Sequence, residues 1–323
     1  MSGGTPNRSL TAIPGLAVGH SQDVRGGTGC TVVTGPFAAG ADVRGLGTGT
    51  REIETLSPLH LVGRCDAILL TGGSAFGLAA ADGVVRWLEE RGIGYETPGG
   101  PVPIVPAAVI YDLVEGEPGI RPDAEMGYTA AEAATRDPVP EGRVGAGTGA
   151  TVGKLRGRAG AELGGLGCWA EAGSGFAVAA LAVVNAFGDV RDGAGSILAG
   201  TRDEAGRHLD TARALAALER GPEFGGESPG ADPRPGLATT LAVVATDAAL
   251  DRPALTVVAR QAMNAIARRI SPSNTQYDGD VVFAVSPAGA GGPAGPSVSA
   301  AEVLAIGVRA QAVLERAIER AVT

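Results

Sequence analysis

The feature that most constrains this chain is a Gly/Pro-rich stretch that runs directly into an unbroken apolar one. Residues 221–235 carry Gly221, Pro222, Gly225, Gly226, Pro229, Gly230, Pro233 and Pro235. Glycine raises the entropy cost of ordering and proline removes a backbone donor, so the segment suits a mobile surface linker. Residues 241–245, Leu-Ala-Val-Val-Ala, form a short apolar run that reads as a buried strand. Thr239 stands between the two, where an accessible loop meets a rigid core. A cut between Ala238 and Thr239 would give Thr239 a free α-amine beside its own hydroxyl. With a reference pKa of about 7.7–8.0, that amine can act as general base near neutral pH. The junction therefore reads as the processing site of an N-terminal threonine hydrolase.

Composition narrows the alternatives. A chain of 323 residues has ample length for a core, in one large domain or two. A formal charge of −9 with no basic run argues against nucleic acid as the main partner. Cys30, Cys65 and Cys168 are an odd, widely spaced set, and no apolar signal segment follows Met1. They read as reduced thiols of a cytoplasmic protein. The longest apolar run, residues 176–184, is too short to cross a bilayer, so no membrane association is expected. His20, His60 and His208 show no metal-ligand spacing, and neither a metal nor another cofactor is expected. Lys154 is the only lysine among 26 basic residues. A chain that otherwise uses arginine could need a compact ammonium there, although a surface turn is the plainer explanation.

Along the chain, residues 16–18 and 31–34 look strand-like and are parted by glycine turns. Residues 66–71 read as a buried strand that runs through Gly72-Gly73-Ser74-Ala75-Phe76-Gly77-Leu78 into a helix ending near Arg91. Residues 107–113 read as a strand carrying Tyr111, and residues 123–136 as a helix. Residues 177–184 read as a strand ending at Asn185, and residues 203–220 as a helix leading to the linker. After the Thr239 strand comes a helix over residues 253–270, with Leu255, Val258, Met263, Ile266 and Ile270 on one face. A strand over residues 281–285 follows, then a last helix opened by Ser299 and Glu302 in a capping-box pattern. There is no internal repeat. Mixed strands and helices suggest a layered α/β or α+β architecture.

Two glycine motifs fail their strictest tests. Strand, glycine turn and helix around Ser74 suggest a nucleophile elbow, but Phe76 stands where the closing glycine belongs. A tight turn lining a pocket fits better. Gly145, Gly147 and Ala150 formally fit a relaxed dinucleotide fingerprint, without the helix and acid that should follow. A P-loop is excluded, because Thr148 replaces its first glycine and Leu155 follows the lysine.

Five blocks together carry a resemblance: Thr239-Thr240-Leu241 running to Asp247, Gly72 to Leu78, Val144-Gly145-Ala146-Gly147-Thr148-Gly149 with Lys154, Val183-Val184-Asn185-Ala186-Phe187-Gly188, and Tyr277-Asp278-Gly279-Asp280. In this order, over nearly the whole chain, they resemble the DmpA-type peptidases. That family includes L-aminopeptidase/D-esterases, β-aminopeptidases and the nylon-oligomer hydrolase NylC. The resemblance implies an α+β fold, a four-layer αββα sandwich of the N-terminal-nucleophile-hydrolase type shared with ornithine acetyltransferases. It implies a single catalytic domain, residues 1–323, that cuts itself into residues 1–238 and 239–323 and assembles as a homotetramer. Small peptides, amino-acid amides or amide oligomers would be its substrates.

By the same resemblance Thr239 matches the nucleophile, Asn185 the amide donor to the oxyanion, Lys154 the lysine, Tyr111 a substrate-binding tyrosine, and Asp278 with Asp280 the acidic pair. β-Aminopeptidases have Ser and Glu at that pair, so the chain looks closer to the nylon-oligomer branch. Many relatives have Asn or Gly before the nucleophile where this chain has Ala238, which bears on the speed of cleavage. Taken physically, Lys154 beside the new amine would lower its pKa by like-charge repulsion, and the two aspartates would orient both. Thr240 is a rival to Thr239, but strand alternation sends the two to opposite faces.

Two other functions fit parts of the sequence. One is acyl transfer of the ornithine acetyltransferase type, which also processes at an Ala-Thr bond. The other is a non-catalytic metal- or ligand-binding protein using Asp278, Asp280 and Asp247.

Overall fold

The computed structural model describes residues 7–173, 175–217, 238–291 and 298–323. The predicted linker, residues 221–235, lies outside them.

Nine strands form one hydrogen-bonded sheet that bends into two layers. Strand β1 (Ala17–Asp23) pairs antiparallel with β2 (Thr28–Val43), the longest strand. The first part of β2 also pairs with β3 (Cys65–Thr71), which runs parallel to β4 (Ala107–Val109). Its second part pairs with β8 (Val281–Ser286), and the register shifts between Thr34 and Phe37. On the far side of β8 lie β7 (Thr239–Thr246), β6 (Ala177–Asn185) and β5 (Gly165–Ala172), in that order. Where residues 31–34 read as a short strand, β2 is a 16-residue strand that crosses from one layer to the other. Bulges bend strands in this way.

Three apolar layers separate four structural ones. Val33, Ile68, Leu70, Leu181, Val183, Leu241, Val243 and Phe283 fill the space between the two halves of the sheet. Val32, Leu69 and Ala107 face the other way, against α1 (Ala80–Glu89) and α2 (Ala124–Glu132). Ala242, Val244, Val282 and Ala284 pack against α4 (Arg252–Ala262), α5 (Asn264–Arg269) and α6 (Ala300–Arg320). A short α3 (Thr211–Ala216) precedes the undescribed segment. The result is the four-layer αββα arrangement. Strands β3, β7 and β8 are buried on both faces, which is why each reads as a continuous apolar run rather than an alternating one.

Local chemistry accounts for the ends of the elements. Ser299 and Glu302 close the predicted capping box on α6, and Asp123, Asp210 and Asp251 each accept a backbone N–H at the start of α2, α3 and α4. Such caps contribute about 1 kcal/mol each. The helix expected over residues 253–270 is two, meeting at Met263, with the anticipated face of Leu255, Val258, Met263 and Ile266 buried. The helix expected over residues 203–220 is found only as α3 in the described part. Asp203 instead accepts the N–H groups of Ala205 and Arg207, and Gly206 turns the chain at φ +75°. Strand β4 stops at Val109, short of the expected Leu113, and the first helix begins as a 3-10 turn over Ser74–Ala79.

Candidate active site

The site gathers where β6, β7 and β8 meet. Thr239 opens β7 opposite Asn185, the last residue of β6. By alternation its side chain shares the inter-sheet face of Leu241 and Val243, whereas Thr240 shares the helix-facing side of Ala242 and Val244. Ala238 sits in a parallel bridge to Asp278: its N–H donates to the Tyr277 carbonyl at 2.8 Å and its own carbonyl accepts Gly279 N–H at 2.9 Å. The Thr239 hydroxyl donates to that same Ala238 oxygen at 2.6 Å.

Lys154 follows a two-residue strand, Thr151–Val152, and its backbone N–H donates to Phe187 just beyond β6. Its Nζ donates to Asn185 Oδ1 at 2.7 Å, and Thr151 N–H donates to the same oxygen at 3.0 Å. Asn185 Nδ2 in turn donates to the Tyr111 carbonyl at 3.1 Å. Burial holds the Lys154 ammonium down to about 8, against the opposing pull of Glu115, Asp278 and Asp112. The lone lysine is therefore buried and hydrogen-bonded, and not on a surface turn.

Asp278 accepts Thr275 N–H and its hydroxyl at 2.9 and 2.6 Å, and Phe187 N–H at 3.4 Å. Asp280 accepts Thr240 N–H at 2.6 Å. Burial first, then the neighbouring Asp278, pushes the Asp280 carboxyl well above the usual carboxylate range. The pair lies at the leading end of interior strand β8, so its carboxylates brace backbone around the Thr239 strand. Asp278 reaches Lys154 through its charge. Tyr111 enters the site through its carbonyl.

Asp112 belongs to none of the sequence motifs. It is buried, accepts Gly73 N–H and the Thr28 hydroxyl at 2.7 Å each, and burial raises it to about 6. It ties the Gly72-Gly73-Ser74 turn to the segment that offers the Tyr111 carbonyl. Its position beside Tyr111 was the available signal. Ser74 belongs to that turn, with φ +51°.

The dinucleotide fingerprint is ruled out here, since Gly145–Gly147 is a 3-10 turn followed by a strand. Gly149 lies so close to the Gly27 backbone that a Cβ would come within 1.9 Å of its oxygen, so that block serves close packing. The cation-site reading through Asp247 also fails. Asp247 accepts Ala177 N–H beyond the opposite end of β7, about 25 Å of strand from Thr239. Among the described residues no group of three or more His, Cys, Asp and Glu side chains could hold a metal ion.

A family model described as peptidase family S58 matches residues 8–323. The chain belongs to peptidase family S58. An uncharacterized aminopeptidase of Mycobacterium tuberculosis (strain H37Rv) is 42% identical, over 96% of this chain and 92% of that protein. A 6-aminohexanoate-oligomer endohydrolase of Kocuria sp. is 32% identical, over 84% of this chain and 73% of that protein. Among solved structures, a Burkholderia sp. β-aminopeptidase aligns with a TM-score of 0.70 at 22% identity, covering 98% of this chain and 87% of that one. The L-aminopeptidase D-Ala-esterase/amidase of Ochrobactrum anthropi aligns with a TM-score of 0.71 at 18% identity, covering 99% and 87%. The latter is described as a variant of the Ntn-hydrolase fold, the architecture found here. Membership of S58 makes this chain one of a family of aminopeptidases and amide hydrolases, on the DmpA-type fold that its five blocks resemble.

Proposed function

We propose that this S58 member is a self-processing N-terminal threonine amidohydrolase, a single catalytic domain that cuts before Thr239. The observation that carries the reading is the Thr239 hydroxyl, 2.6 Å from the oxygen of the peptide bond it would break, beside a buried Lys154–Asn185 pair. After scission, the Thr239 α-amine takes the hydroxyl proton, and the hydroxyl attacks a substrate amide carbonyl. The acyl-enzyme is then released by water. Asn185 has two N–H groups; one is bound by Tyr111, and the second is assigned to the substrate oxyanion. Lys154 keeps the amine neutral by like-charge repulsion, and Asp278 and Asp280 hold the two strand ends in register. Tyr111 lines the substrate side.

Relatives named aminopeptidase and 6-aminohexanoate-oligomer endohydrolase support small peptides, amino-acid amides or amide oligomers as substrates. A cytoplasmic homotetramer is part of the same reading, and light scattering tests the assembly. Intact mass with N-terminal sequencing decides the central point. Two fragments are expected, the smaller beginning at Thr239, and a single full-length species from Thr239→Ala. A fully active, uncut wild-type chain would rule the mechanism out.

A further inference from the structure

Resting on that reading, we infer that the backbone N–H of Gly279 is the oxyanion donor for the cut before Thr239. The same threonine would thus perform two reactions with two different donors: Gly279 N–H for its own backbone, the Asn185 side chain for substrate.

The geometry is that of a pinned peptide unit. Gly279 N–H donates to the Ala238 carbonyl oxygen at 2.9 Å. The same peptide unit presents the Asp278 carbonyl at its other end, and Gly47 N–H donates to that oxygen at 2.9 Å. Ala238 is held from its other side by its own N–H on Tyr277. Donor and scissile carbonyl are therefore both fixed before any chemistry starts, which is the condition under which such donors are worth most. The Asn185 amide nitrogen, by contrast, is bonded to the Tyr111 carbonyl. The approach of the two loops depends on bare backbone. A Cβ on Gly279 would lie 2.6 Å from the Gly47 oxygen, and one on Gly45, which has φ +85°, would lie 2.2 Å from the Asp278 oxygen.

In the first step the Thr239 Oγ–C bond to Ala238 forms and the carbonyl π pair moves onto the Ala238 oxygen, against Gly279 N–H. The C–N bond then breaks, and the hydroxyl proton ends on the departing Thr239 nitrogen. Water hydrolyses the resulting ester to the Ala238 carboxyl group and the Thr239 hydroxyl. No other reactant is required.

The test follows scission of the full-length chain over time by intact mass, with urea melting to confirm folding. Gly279→Pro removes the donor N–H, whereas Gly279→Ala retains the N–H and imposes the same crowding of its first carbon against Gly47, so the pair isolates the donor from the crowding. Scission of Gly279→Pro should be slower than that of Gly279→Ala by about 10²–10³-fold, the range for loss of one such donor. Gly47 supplies an independent pair: it is exposed, and a Cβ there meets nothing closer than 3.4 Å. Gly47→Ala should cut like wild type, and Gly47→Pro, which frees the far end of the peptide unit, should be at least several-fold slower. A folded Gly279→Pro that cuts within threefold of Gly279→Ala overturns the inference. If Gly279→Pro does not fold or Gly279→Ala does not cut, equal rates for the two Gly47 variants overturn it. A wild-type chain that never cuts is a separate outcome, which removes the self-processing reading and this inference with it.

Discussion

Lys154 and Asn185 are joined through the amide oxygen: Nζ lies 2.7 Å from Oδ1, which fixes the amide nitrogen on the Tyr111 side. One buried acceptor thus orients both the cation and the candidate oxyanion donor.

Asn185→Asp keeps the shape and the acceptor but removes the N–H groups and adds a charge beside Lys154. The expected result is a folded protein whose amidase kcat falls about 10²–10³-fold, since donor loss at such sites costs that much. Steady-state kinetics on an amino-acid amide check it, and a kcat within tenfold of wild type would remove Asn185 from the proposed role.

Lys154 makes a pH-dependent contribution to stability with a defined sign. Its pKa is 10.5 in the unfolded chain and about 8 when folded, so between those values the unfolded chain binds more protons. Stability from this group therefore rises as pH goes from 8 to 10.5, by on the order of 3 kcal/mol. Urea titrations of Thr239→Ala, with and without Lys154→Met, should show the lysine chain gaining on the methionine chain over that window. A gap that stays flat or narrows contradicts a buried, depressed lysine.

Asp112 has the opposite linkage. Burial raises it from 3.8 to about 6, so the folded chain binds more protons between those values. Relative to Asp112→Asn, the wild-type carboxyl should gain stability as pH falls from 6 to 4, by on the order of 3 kcal/mol. The variant should also lose activity at neutral pH, because an amide cannot accept both Gly73 N–H and the Thr28 hydroxyl as the carboxylate does. Unchanged kinetics with a flat stability difference would reduce Asp112 to ordinary packing.

Cys30, Cys65 and Cys168 are free, buried and pushed up to about 12 by burial. At pH 8 only a fraction of about 10⁻⁴ of each would be thiolate. A thiol reagent should leave the native protein unlabelled over an hour and modify all three in urea. Rapid stoichiometric labelling of the native chain would show that at least one thiol is accessible.

The buried strands were legible because burial on both faces leaves an unbroken apolar run, as in residues 241–245, and the last helix because its cap is local chemistry. Lys154 was legible by its rarity. The turn at Asp203 was not, since the side chain competes with helix for backbone donors and helical spacing does not record that competition. The bend in β2 was equally hidden, because a strand that changes partners half-way leaves two short signals. Tyr111 and Gly279 meet the site through main-chain atoms, which carry no side-chain signature. What Asp278 and Asp280 hold could be seen only once β6, β7 and β8 stood side by side.

Strands β7 and β8 lie between β6 and β2, with α6 laid across β5 and β6 and α4 across β8 and β2. Both of these strands, which follow residue 238, are thus stitched into the interior of a sheet whose flanks belong to the earlier part of the chain. Severing the backbone there would leave no exposed seam along which the halves could part. Two polypeptides would persist as one cooperative body, and separating them would amount to unfolding both.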